Sequence, residues 1–372
     1  MNFNIAILPG DGIGPEVTTQ AKKALEAVAD VFNHKFTYNE ALVGAIAIDK
    51  TGNPLPEETI DICEESDAIL FGAIGDPKYD NDPSAKVRPE QGLLRLRKQL
   101  GLFCNIRPVQ AYESLIDKSP LKRHIIRGTD ISIYRELTGG IYFGEKKLSK
   151  DGKIASDGCT YSVEEIERVA HLAFKAAQNR RKHVTLVDKA NVLETSRLWR
   201  KTVTEMAKDY PDVKLEFLFV DNAAMQLILN PKQFDVILTE NLFGDIISDE
   251  ASVIGGSIGL LASASVGNDN ALFEPIHGSY PQAKGKNIAN PLASILSAAM
   301  MLEHLGLEEE AELIRRGVDK SLKLYISTPD INTKFDNVTT DKVGDFIADF
   351  VVNPNDTNLN FQNIHLGQST II

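Results

Sequence analysis

The sequence predicts an α/β protein in which helices cover a largely parallel, mixed sheet. Short apolar segments typical of buried strands alternate with longer segments of helical periodicity, and this order favours parallel strands joined by helical crossovers. Several apolar segments end in polar residues, which suits a protein that binds ligands at the carboxyl ends of its strands. The length of 372 residues is enough for roughly two domains.

The composition indicates a globular chain, with 43% hydrophobic and 25% charged residues. The formal net charge of -12 disfavours nucleic acid as a partner, and an anionic substrate would need a local group of Arg and Lys. The most apolar long stretch, residues 251–266, is broken by Ser and Gly and is too short to cross a bilayer. We therefore expect neither nucleic acid nor a membrane as a partner.

The N-terminus and the cysteines predict a cytoplasmic location. The first residues lack the basic and apolar regions of a secretory signal. Cys63, Cys104 and Cys159 are scattered along the chain without metal-ligand spacing, so we interpret them as reduced thiols.

The N-terminal segment predicts a strand at residues 3–8, a glycine turn at 9–15 and a helix that begins near Pro15. The glycine spacing is G-x-G-x-G, which matches neither the Rossmann nor the phosphate-loop fingerprint. The turn therefore does not predict a nucleotide site by itself. The apolar residues of the helix fall on one face, namely Val17, Ala21, Leu25, Val28 and Phe32.

Three arginines are predicted near the ends of regular elements. A short helix at residues 92–100 carries Arg97, Arg107 follows in an extended segment, and a strand at 130–134 delivers Arg135. Arginine binds carboxylates through paired hydrogen bonds, so these residues are candidates for binding an anionic substrate, although a single arginine is more often a surface residue.

Two further strands end in residues suited to chemistry. A strand at residues 184–187 leads to Lys189, and a strand at 215–220 leads to Asp221. Lys189 and Tyr142 are candidates for proton transfer, although a lone Lys or Tyr is usually structural.

The segment 240–250 places two carboxylates four residues apart at the start of a predicted helix. The apolar residues Phe234, Val236, Ile237 and Leu238 indicate a buried strand that leads into it. Asp245 and Asp249 would lie one above the other, where like charges repel. A helix N-terminus tolerates acidic residues, but Mg²⁺ or Mn²⁺ would convert the repelling pair into a chelate. Together with Asp221, these residues are candidate metal ligands.

Several blocks of the sequence resemble the decarboxylating β-hydroxyacid dehydrogenases, the isocitrate and isopropylmalate dehydrogenase family. The resemblance runs from the first strand to about residue 350. The matching blocks are LPGDGIGPEV at 8–17, RPEQGLLRLRKQLGLFCNIRP at 88–108, RELTGGIYFGE at 135–145, VDKANVL at 187–193, FGDIISD at 243–249, FEPIHGS at 273–279 and NIANP at 287–291.

This resemblance implies two α/β domains, the first built from both ends of the chain. Residues 1–103 and 256–352 would form a cofactor-binding domain, and residues 104–255 a second domain that carries the metal site. The resemblance further implies a homodimer that exchanges a β arm of about residues 140–160. Residues 353–372 contain few charges, and we expect a mobile tail.

The resemblance implies oxidative decarboxylation of 3-isopropylmalate to 2-oxo-4-methylpentanoate in leucine biosynthesis, with NAD as the oxidant. Isocitrate, tartrate and D-malate are alternative substrates within the family. A non-catalytic regulatory subunit is an alternative of a different class. Such subunits usually lose the Lys, Tyr or metal-binding acids, and all of these are present in this sequence.

Roles are implied for residues that match the family's motifs. Lys189 would accept the proton of the substrate hydroxyl, and Tyr142 would protonate the enolate left when CO2 departs. Lys189 and Asp221 would enter the site from the partner subunit. The implied binding residues are Arg97, Arg107 and Arg135 for the substrate carboxylates, Asp221, Asp245 and Asp249 for Mg²⁺ or Mn²⁺, and Glu90, Leu93, Leu94 and Val192 for the substrate side chain.

The implied NAD-binding residues include one departure from the family. Where NAD-using members typically have Asp, this chain has Gln282, which accepts hydrogen bonds from ribose hydroxyls but does not repel the 2'-phosphate of NADP. The next residue, Ala283, provides no phosphate clamp, so we expect NAD as the working cofactor with weakened discrimination. The full implied set is Ile13, Glu274, His277, Gly278, Ser279, Gln282, Ala289 and Asn290.

Overall fold

The computed structural model of the chain describes residues 1–81, 87–331, 334 and 338–356. Most of the predicted tail at 353–372 lies outside these residues, so its mobility stays a prediction. Strands and helices alternate along the described chain, which confirms the predicted α/β class.

Strands and helices are numbered separately in chain order. The strands are β1 (Asn2–Gly10), β2 (Lys35–Glu40), β3 (Ala68–Ala73), β4 (Cys104–Gln110), β5 (Asp130–Glu136), β6 (Lys146–Leu148), β7 (Ala155–Asp157), β8 (His183–Asp188), β9 (Lys214–Phe219), β10 (Val236–Thr239), β11 (Ala262–Val266) and β12 (Ala271–Pro275). The helices are α1 (Gly14–Phe32), α2 (Ala45–Thr51), α3 (Glu57–Glu64), α4 (Pro77–Asp80), α5 (Pro89–Gln99), α6 (Arg123–Ile126), α7 (Val163–Gln178), α8 (Glu194–Met206), α9 (Val220–Leu229), α10 (Asn241–Ser252), α11 (Leu292–His304), α12 (Glu308–Lys323) and α13 (Thr340–Val352).

The chain divides into two compact units. Among the described residues, the first consists of those in Met1–Gly101, in Ser257–Ala264 and from Asn268 to Asp356, and the second consists of Leu102–Gly256 and Ser265–Gly267. The assignment of cofactor binding to the first unit and of metal binding to the second stays a prediction.

Each unit contains a run of neighbouring strands. The order is β2-β1-β3-β12 in the first unit and β4-β5-β10-β8-β9 in the second, and β11 has its first three residues in the first unit and its last two in the second. The pairs of β1 with β2 and β3, and of β10 with β5 and β8, are parallel, whereas β4 and β5 are antiparallel. The sheet is therefore mixed but mostly parallel, as predicted.

In the first unit, the predicted apolar face of α1 is buried except at its last residue, Phe32, which is half-buried. Val17, Ala21, Leu25 and Val28 are fully inaccessible, and α1 packs against α11 and α13. Burial of a Val or Leu side chain contributes roughly 1.5–3 kcal/mol, so this face fixes α1 on the sheet. The glycine turn that precedes α1 is held in place with it.

In the second unit, the core joins the strands to α10. Ile131 and Ile133 of β5, Ile237 of β10 and Ile247 of α10 belong to one buried apolar cluster. Because one face of α10 packs on this cluster, Asp245 and Asp249 on another face of the helix stay accessible.

Arg135 lies inside a strand, although the sequence predicted that it follows one. β5 continues to Glu136, and Arg135 pairs with Thr239 of β10. Both charged side chains are buried with partners: Arg135 donates to Asn241, and Glu136 accepts from the backbone N–H of Gly139. The strand therefore does not end before Arg135, as the sequence had predicted, but includes Arg135 and Glu136.

The segment predicted as a β arm contains an antiparallel hairpin. β6 and β7 pair from Lys146 with Asp157 to Leu148 with Ala155, and all of their residues are exposed. Exchange of this hairpin between subunits stays a prediction.

Among the described helices, none has both the length and the hydropathy that a membrane crossing requires.

Candidate active site

Two carboxylates project from the same side of α10. β10 ends at Thr239 and α10 begins at Asn241, so Asp245 and Asp249 lie close to the carboxyl end of a buried strand. Ile247 is buried, whereas the side chains of Asp245 and Asp249 are 38% and 71% exposed. The predicted spacing therefore places both acids on an accessible face of the helix.

Two arginines converge on these carboxylates. Nη1 of Arg107 donates to Oδ1 of Asp249 at 2.9 Å, and its Nη2 lies 3.9 Å from Oδ1 of Asp245. Nη1 of Arg135 donates to Oδ1 of Asp245. The repulsion between the two acids is thus offset by guanidinium groups of the protein itself. Both arginines were predicted to bind the substrate carboxylates, and the structure brings them together.

Tyr142 joins the same group of residues. It ends a short 3-10 helix, Gly140–Tyr142, and its hydroxyl donates to Oδ2 of Asp245 at 2.7 Å. Partial burial and the neighbouring carboxylate raise the pKa of Tyr142, so the phenol holds its proton at neutral pH. A protonated phenol at such a position can act as a general acid.

Polar side chains fix the orientation of Arg107. Its Nε donates to Oδ1 of Asn105 at 2.7 Å, and its Nη1 donates to Oγ of Ser248 at 2.7 Å. The guanidinium plane is therefore set by neighbours on β4 and α10 before any substrate binds, which reduces the entropy lost on binding.

Lys189 and Asp221 form a second group in this unit. Lys189 follows β8, and its Nζ donates to Oδ1 of Asp221 at 2.5 Å. Asp221 lies in the first turn of α9, which follows β9 with no intervening loop, and a helix N-terminus favours a carboxylate. The hydrogen bond from Lys189 lowers the pKa of Asp221.

The candidate ligands fit a hard divalent cation by their chemistry. Asp221, Asp245 and Asp249 all offer exposed carboxylate oxygens, which Mg²⁺ and Mn²⁺ prefer. Within the described part of the chain, however, no three His, Cys, Asp or Glu side chains form a group that could hold a metal ion. Asp221, Asp245 and Asp249 therefore do not form a three-ligand group by themselves within the described residues.

In the first unit, Arg97 pairs with a residue predicted to bind the cofactor. Nη2 of Arg97, in the last turn of α5, donates to Oε1 of Glu274 at 2.6 Å. Nε of Arg97 is buried and has no hydrogen-bond partner among the described atoms. A buried donor without a partner is costly, and a bound carboxylate would satisfy it.

The predicted side-chain pocket is divided between two faces of α5. Leu93 is 9% exposed and Leu94 is 53% exposed. Glu90, on the same helix, lies close to Gly75, where an added Cβ would approach its Oε1 to 2.9 Å. Val192, in the turn that follows Lys189, is exposed. Binding of a substrate side chain by these residues stays a prediction.

The predicted cofactor loop packs closely on the glycine turn before α1. The backbone N–H of Ile13 donates to the carbonyl of Ser279 at 2.8 Å. Gly12 has φ +58°, and a Cβ at this position would lie 1.9 Å from the same carbonyl oxygen. Only glycine fits at this position. The glycine of this turn is therefore required by the close approach of the Ser279 backbone, and a phosphate-binding motif is not needed to explain it. Ile13 also packs with Ala289, another predicted cofactor residue.

His277 offers a ring nitrogen that no described atom contacts by a hydrogen bond. Its Nε2 is buried without a partner, and burial lowers the pKa of the ring, so the imidazole is neutral at physiological pH. Gly278 and Gln282, in the same loop segment, are exposed. A neutral imidazole with an unpaired nitrogen suits a hydrogen-bonding nucleotide base.

Asn290 has a structural role in addition to its predicted one. Its Oδ1 accepts from the backbone N–H of Leu292 at the start of α11, and its Nδ2 donates to Oδ2 of Asp330 at 3.0 Å. Substitution of Asn290 would therefore disturb α11 as well as any cofactor contact.

The sequence did not predict the buried residues that support the side chain of Arg135 and the backbone of Lys189. Asn241 accepts from Arg135, and Ser196 accepts from the backbone N–H of Lys189 and donates to Glu240. The signal in the sequence was a polar pair, Glu240 and Asn241, directly after the predicted buried strand.

The chain is similar to known enzymes along most of its length. A family model described as isocitrate/isopropylmalate dehydrogenase matches residues 4–347. The 3-isopropylmalate dehydrogenases of Bacteroides fragilis and Wolinella succinogenes are each 55% identical over 94% of this chain, and over 99% and 98% of their own lengths. The 3-isopropylmalate dehydrogenase of Aquifex aeolicus is 52% identical over 88% of this chain and 91% of its own length.

Solved structures share the fold. The isocitrate dehydrogenase of Methylococcus capsulatus matches with a TM-score of 0.82 at 34% identity, over 94% of this chain and 99% of its own. A β-decarboxylating dehydrogenase of Thermococcus kodakarensis matches with a TM-score of 0.79 at 37% identity, over 94% of this chain and 96% of its own.

Proposed function

The chain belongs to the isocitrate/isopropylmalate dehydrogenase family, and from this premise we propose that it oxidises and decarboxylates 3-isopropylmalate with reduction of NAD, as a step of leucine biosynthesis. The product would be 2-oxo-4-methylpentanoate. The high identity to 3-isopropylmalate dehydrogenases over nearly their whole lengths supports this choice of substrate within the family.

The observation that carries the proposal is the convergence of Arg107, Arg135 and Tyr142 on Asp245. This arrangement suits an anionic substrate, because the two guanidinium groups can bind its carboxylates. It also suits a reaction that forms an enolate, because the protonated phenol can donate a proton to the enolate carbon. A purely structural ion network would not need a partly exposed phenol aimed at the carboxylate.

We propose that Arg97, Arg107 and Arg135 bind the two substrate carboxylates. Asp245 and Asp249 would hold Mg²⁺ or Mn²⁺, with Asp221 contributed by the partner subunit. A bound metal ion supplies Lewis-acid polarisation of the substrate hydroxyl, and bound NAD supplies the hydride acceptor.

Proton transfers would be handled by side chains of the protein. Lys189 would accept the hydroxyl proton of the substrate during oxidation, and Asp221 would hold its Nζ in place through their hydrogen bond. After CO2 leaves, Tyr142 would donate its proton to the α-carbon of the enolate. The raised pKa of Tyr142 keeps that proton available at neutral pH.

The proposed enzyme would act as a homodimer in the cytoplasm. The dimer is supported by the family resemblance, which implies that Lys189 and Asp221 enter the site from the partner subunit. The three cysteines are free thiols, which suits a reducing compartment.

The test is NADH formation from 3-isopropylmalate, isocitrate, tartrate and D-malate, each with Mg²⁺, with Mn²⁺ or with a chelator. We expect 3-isopropylmalate to give the highest kcat/KM, and the chelator to abolish turnover. A higher kcat/KM for isocitrate would assign the chain to that substrate. Absence of turnover with every diacid would favour a non-catalytic subunit.

A further inference from the structure

Asn241 occupies a buried position between two elements of the candidate site. It is the first residue of α10, and its side chain makes hydrogen bonds in two directions. Oδ1 accepts from Nε of Arg135 at 3.0 Å and from Nη2 at 2.8 Å, and Nδ2 donates to the carbonyl oxygen of Gly139 at 3.2 Å. The amide is therefore committed to Arg135 and to the turn after β5.

The chemistry of these partners requires an amide. Arg135 only donates hydrogen bonds, and the carbonyl of Gly139 only accepts them, so the residue between them must do both. A carboxylate would satisfy Arg135 but would face the carbonyl oxygen without a proton, and an apolar side chain would satisfy neither.

Contacts with Asn241 define how Arg135 faces Asp245. Because Nε and Nη2 both donate to one oxygen of Asn241, the remaining side of the guanidinium fork is directed to Asp245 through Nη1. The guanidinium is thereby held in one orientation, and less conformational entropy is lost when a carboxylate binds.

Asn241 also anchors the turn that carries Tyr142. Gly139 and Gly140 pack against the ring of Tyr161, with an added Cβ at Gly140 lying 2.3 Å from the Tyr161 hydroxyl oxygen. That hydroxyl accepts from the backbone N–H of Asn241 at 2.9 Å. Side chain and backbone of one residue thus fix the start of the short helix that ends at Tyr142.

We propose that Asn241 is a positioning residue that sets both Arg135 and Tyr142 relative to Asp245. The contacts form a closed circuit: Asn241 binds Arg135 and Gly139, the chain from Gly139 leads to Tyr142, and Arg135 and Tyr142 meet on Asp245. This proposal rests on the proposed function, because it assigns effects to substrate binding and turnover.

The test compares Asn241→Ala and Asn241→Asp with the parent and with Asn179→Ala. Asn179 is an exposed residue of the same unit, and its replacement should leave kcat and KM unchanged. Asn241→Ala should raise KM for 3-isopropylmalate about 10-fold and lower kcat about 10- to 100-fold, as expected for lost hydrogen bonds to a charged group. Asn241→Asp, which has nearly the same shape, should lower kcat at least about 10-fold.

A double-mutant cycle separates positioning from a general loss of stability. In a Tyr142→Phe background, Asn241→Asp should lower kcat by less than about 3-fold, because the phenol that it misplaces is already absent. An equal fall in both backgrounds, or folded variants with parental kcat and KM, would overturn the proposal. Thermal melts identify any variant that fails to fold. If an Asn241 variant does not fold, Tyr161→Phe replaces it in the test, because this substitution removes only the hydroxyl that contacts Asn241. We expect Tyr161→Phe to lower kcat at least about 10-fold, as for Asn241→Asp.

Calorimetric titration of 3-isopropylmalate in the presence of Mn²⁺ distinguishes the two proposals. A parent protein that binds the diacid without turning it over contradicts the proposed function alone, and weaker binding by Asn241→Ala would still support the positioning role. Equal binding by the parent and Asn241→Ala would overturn the role of Asn241 alone. A parent that binds no 2-hydroxy diacid overturns both.

Discussion

The hydroxyl of Tyr142 donates a 2.7 Å hydrogen bond to Asp245, a residue 103 positions later in the chain. Asp245 also accepts from Arg135, so one carboxylate holds a proton donor and a cation at fixed positions. A carboxylate with this role should tolerate little change.

Replacement of Asp245 by Asn should abolish turnover while the protein stays folded. The substitution removes one anion from a proposed hard-cation site and leaves Arg135 without its charged partner. We expect kcat/KM to fall at least about 100-fold with Mg²⁺ or Mn²⁺, a loss of about 2.7 kcal/mol. Asp209→Asn, at an exposed position of the same unit, is the matched control. Near-normal activity of Asp245→Asn without added metal would refute the metal assignment.

Replacement of Tyr142 by Phe should lower kcat more than it changes KM. The ring and its contact with Arg135 are kept, and only the proton donor is lost. General acid catalysis typically contributes about 10²- to 10⁴-fold, so we expect a fall of kcat in that range. Steady-state kinetics on both proteins would decide, and an unchanged kcat would exclude Tyr142 as the acid.

Replacement of Leu93 or Leu94 by Ala should weaken recognition of the substrate side chain, and only the Leu93 substitution should also destabilise the fold. We expect each variant to lower kcat/KM for 3-isopropylmalate by an amount that corresponds to about 1–3 kcal/mol of transition-state stabilisation. The effect on unbranched malate should be much smaller. Leu93 is buried, so its removal should also lower the free energy of unfolding by about 2–5 kcal/mol, whereas exposed Leu94 should not. Equal losses with malate and 3-isopropylmalate would contradict a role in side-chain recognition.

Replacement of Gln282 by Asp should increase the preference for NAD over NADP. The residue is exposed, so the substitution should leave the fold intact, and the new charge should repel the 2'-phosphate of NADP. The ratio of kcat/KM for the two cofactors should rise mainly because NADP becomes a poorer substrate. Gln282→Asn, which adds no charge, is the control. A parent enzyme that prefers NADP would show the cofactor prediction to be wrong.

Replacement of Glu240 by Gln should change how stability depends on pH. Glu240 is buried beside Asp188, and burial raises the pKa of Glu240 from 4.5 to about 7. Because its pKa is raised on folding, the group stabilises the fold most when protonated, and this contribution is lost as pH rises from about 4.5 to about 7. A difference of about 2.5 pKa units corresponds to about 3 kcal/mol.

Urea unfolding at pH 5 and at pH 8 measures this effect. Gln cannot ionise, so Glu240→Gln should gain up to about 3 kcal/mol relative to the parent between the two pH values. A stability difference that is the same at both pH values would show that Glu240 does not titrate in this range.

The sequence by itself determined the α/β class, the buried face of α1 and the placement of Asp245 and Asp249 on one face of α10. These features depend on periodicity within a single element. A hydrophobic period of 3.6 residues, or two carboxylates four residues apart, places the side chains on one face of a helix wherever that helix packs. The family motifs further predicted which side chains form the candidate site.

Only the tertiary structure decided what these side chains contact. Asn241 meets Arg135 across 106 residues of sequence, and Arg97 meets Glu274 across 177. Such contacts depend on which strands are neighbours and on their register, here Arg135 of β5 beside Thr239 of β10. A local pattern does not encode that register, because packing of the whole core selects it. For the same reason the sequence ended β5 too early, and it did not show that two arginines offset the charge of the paired carboxylates.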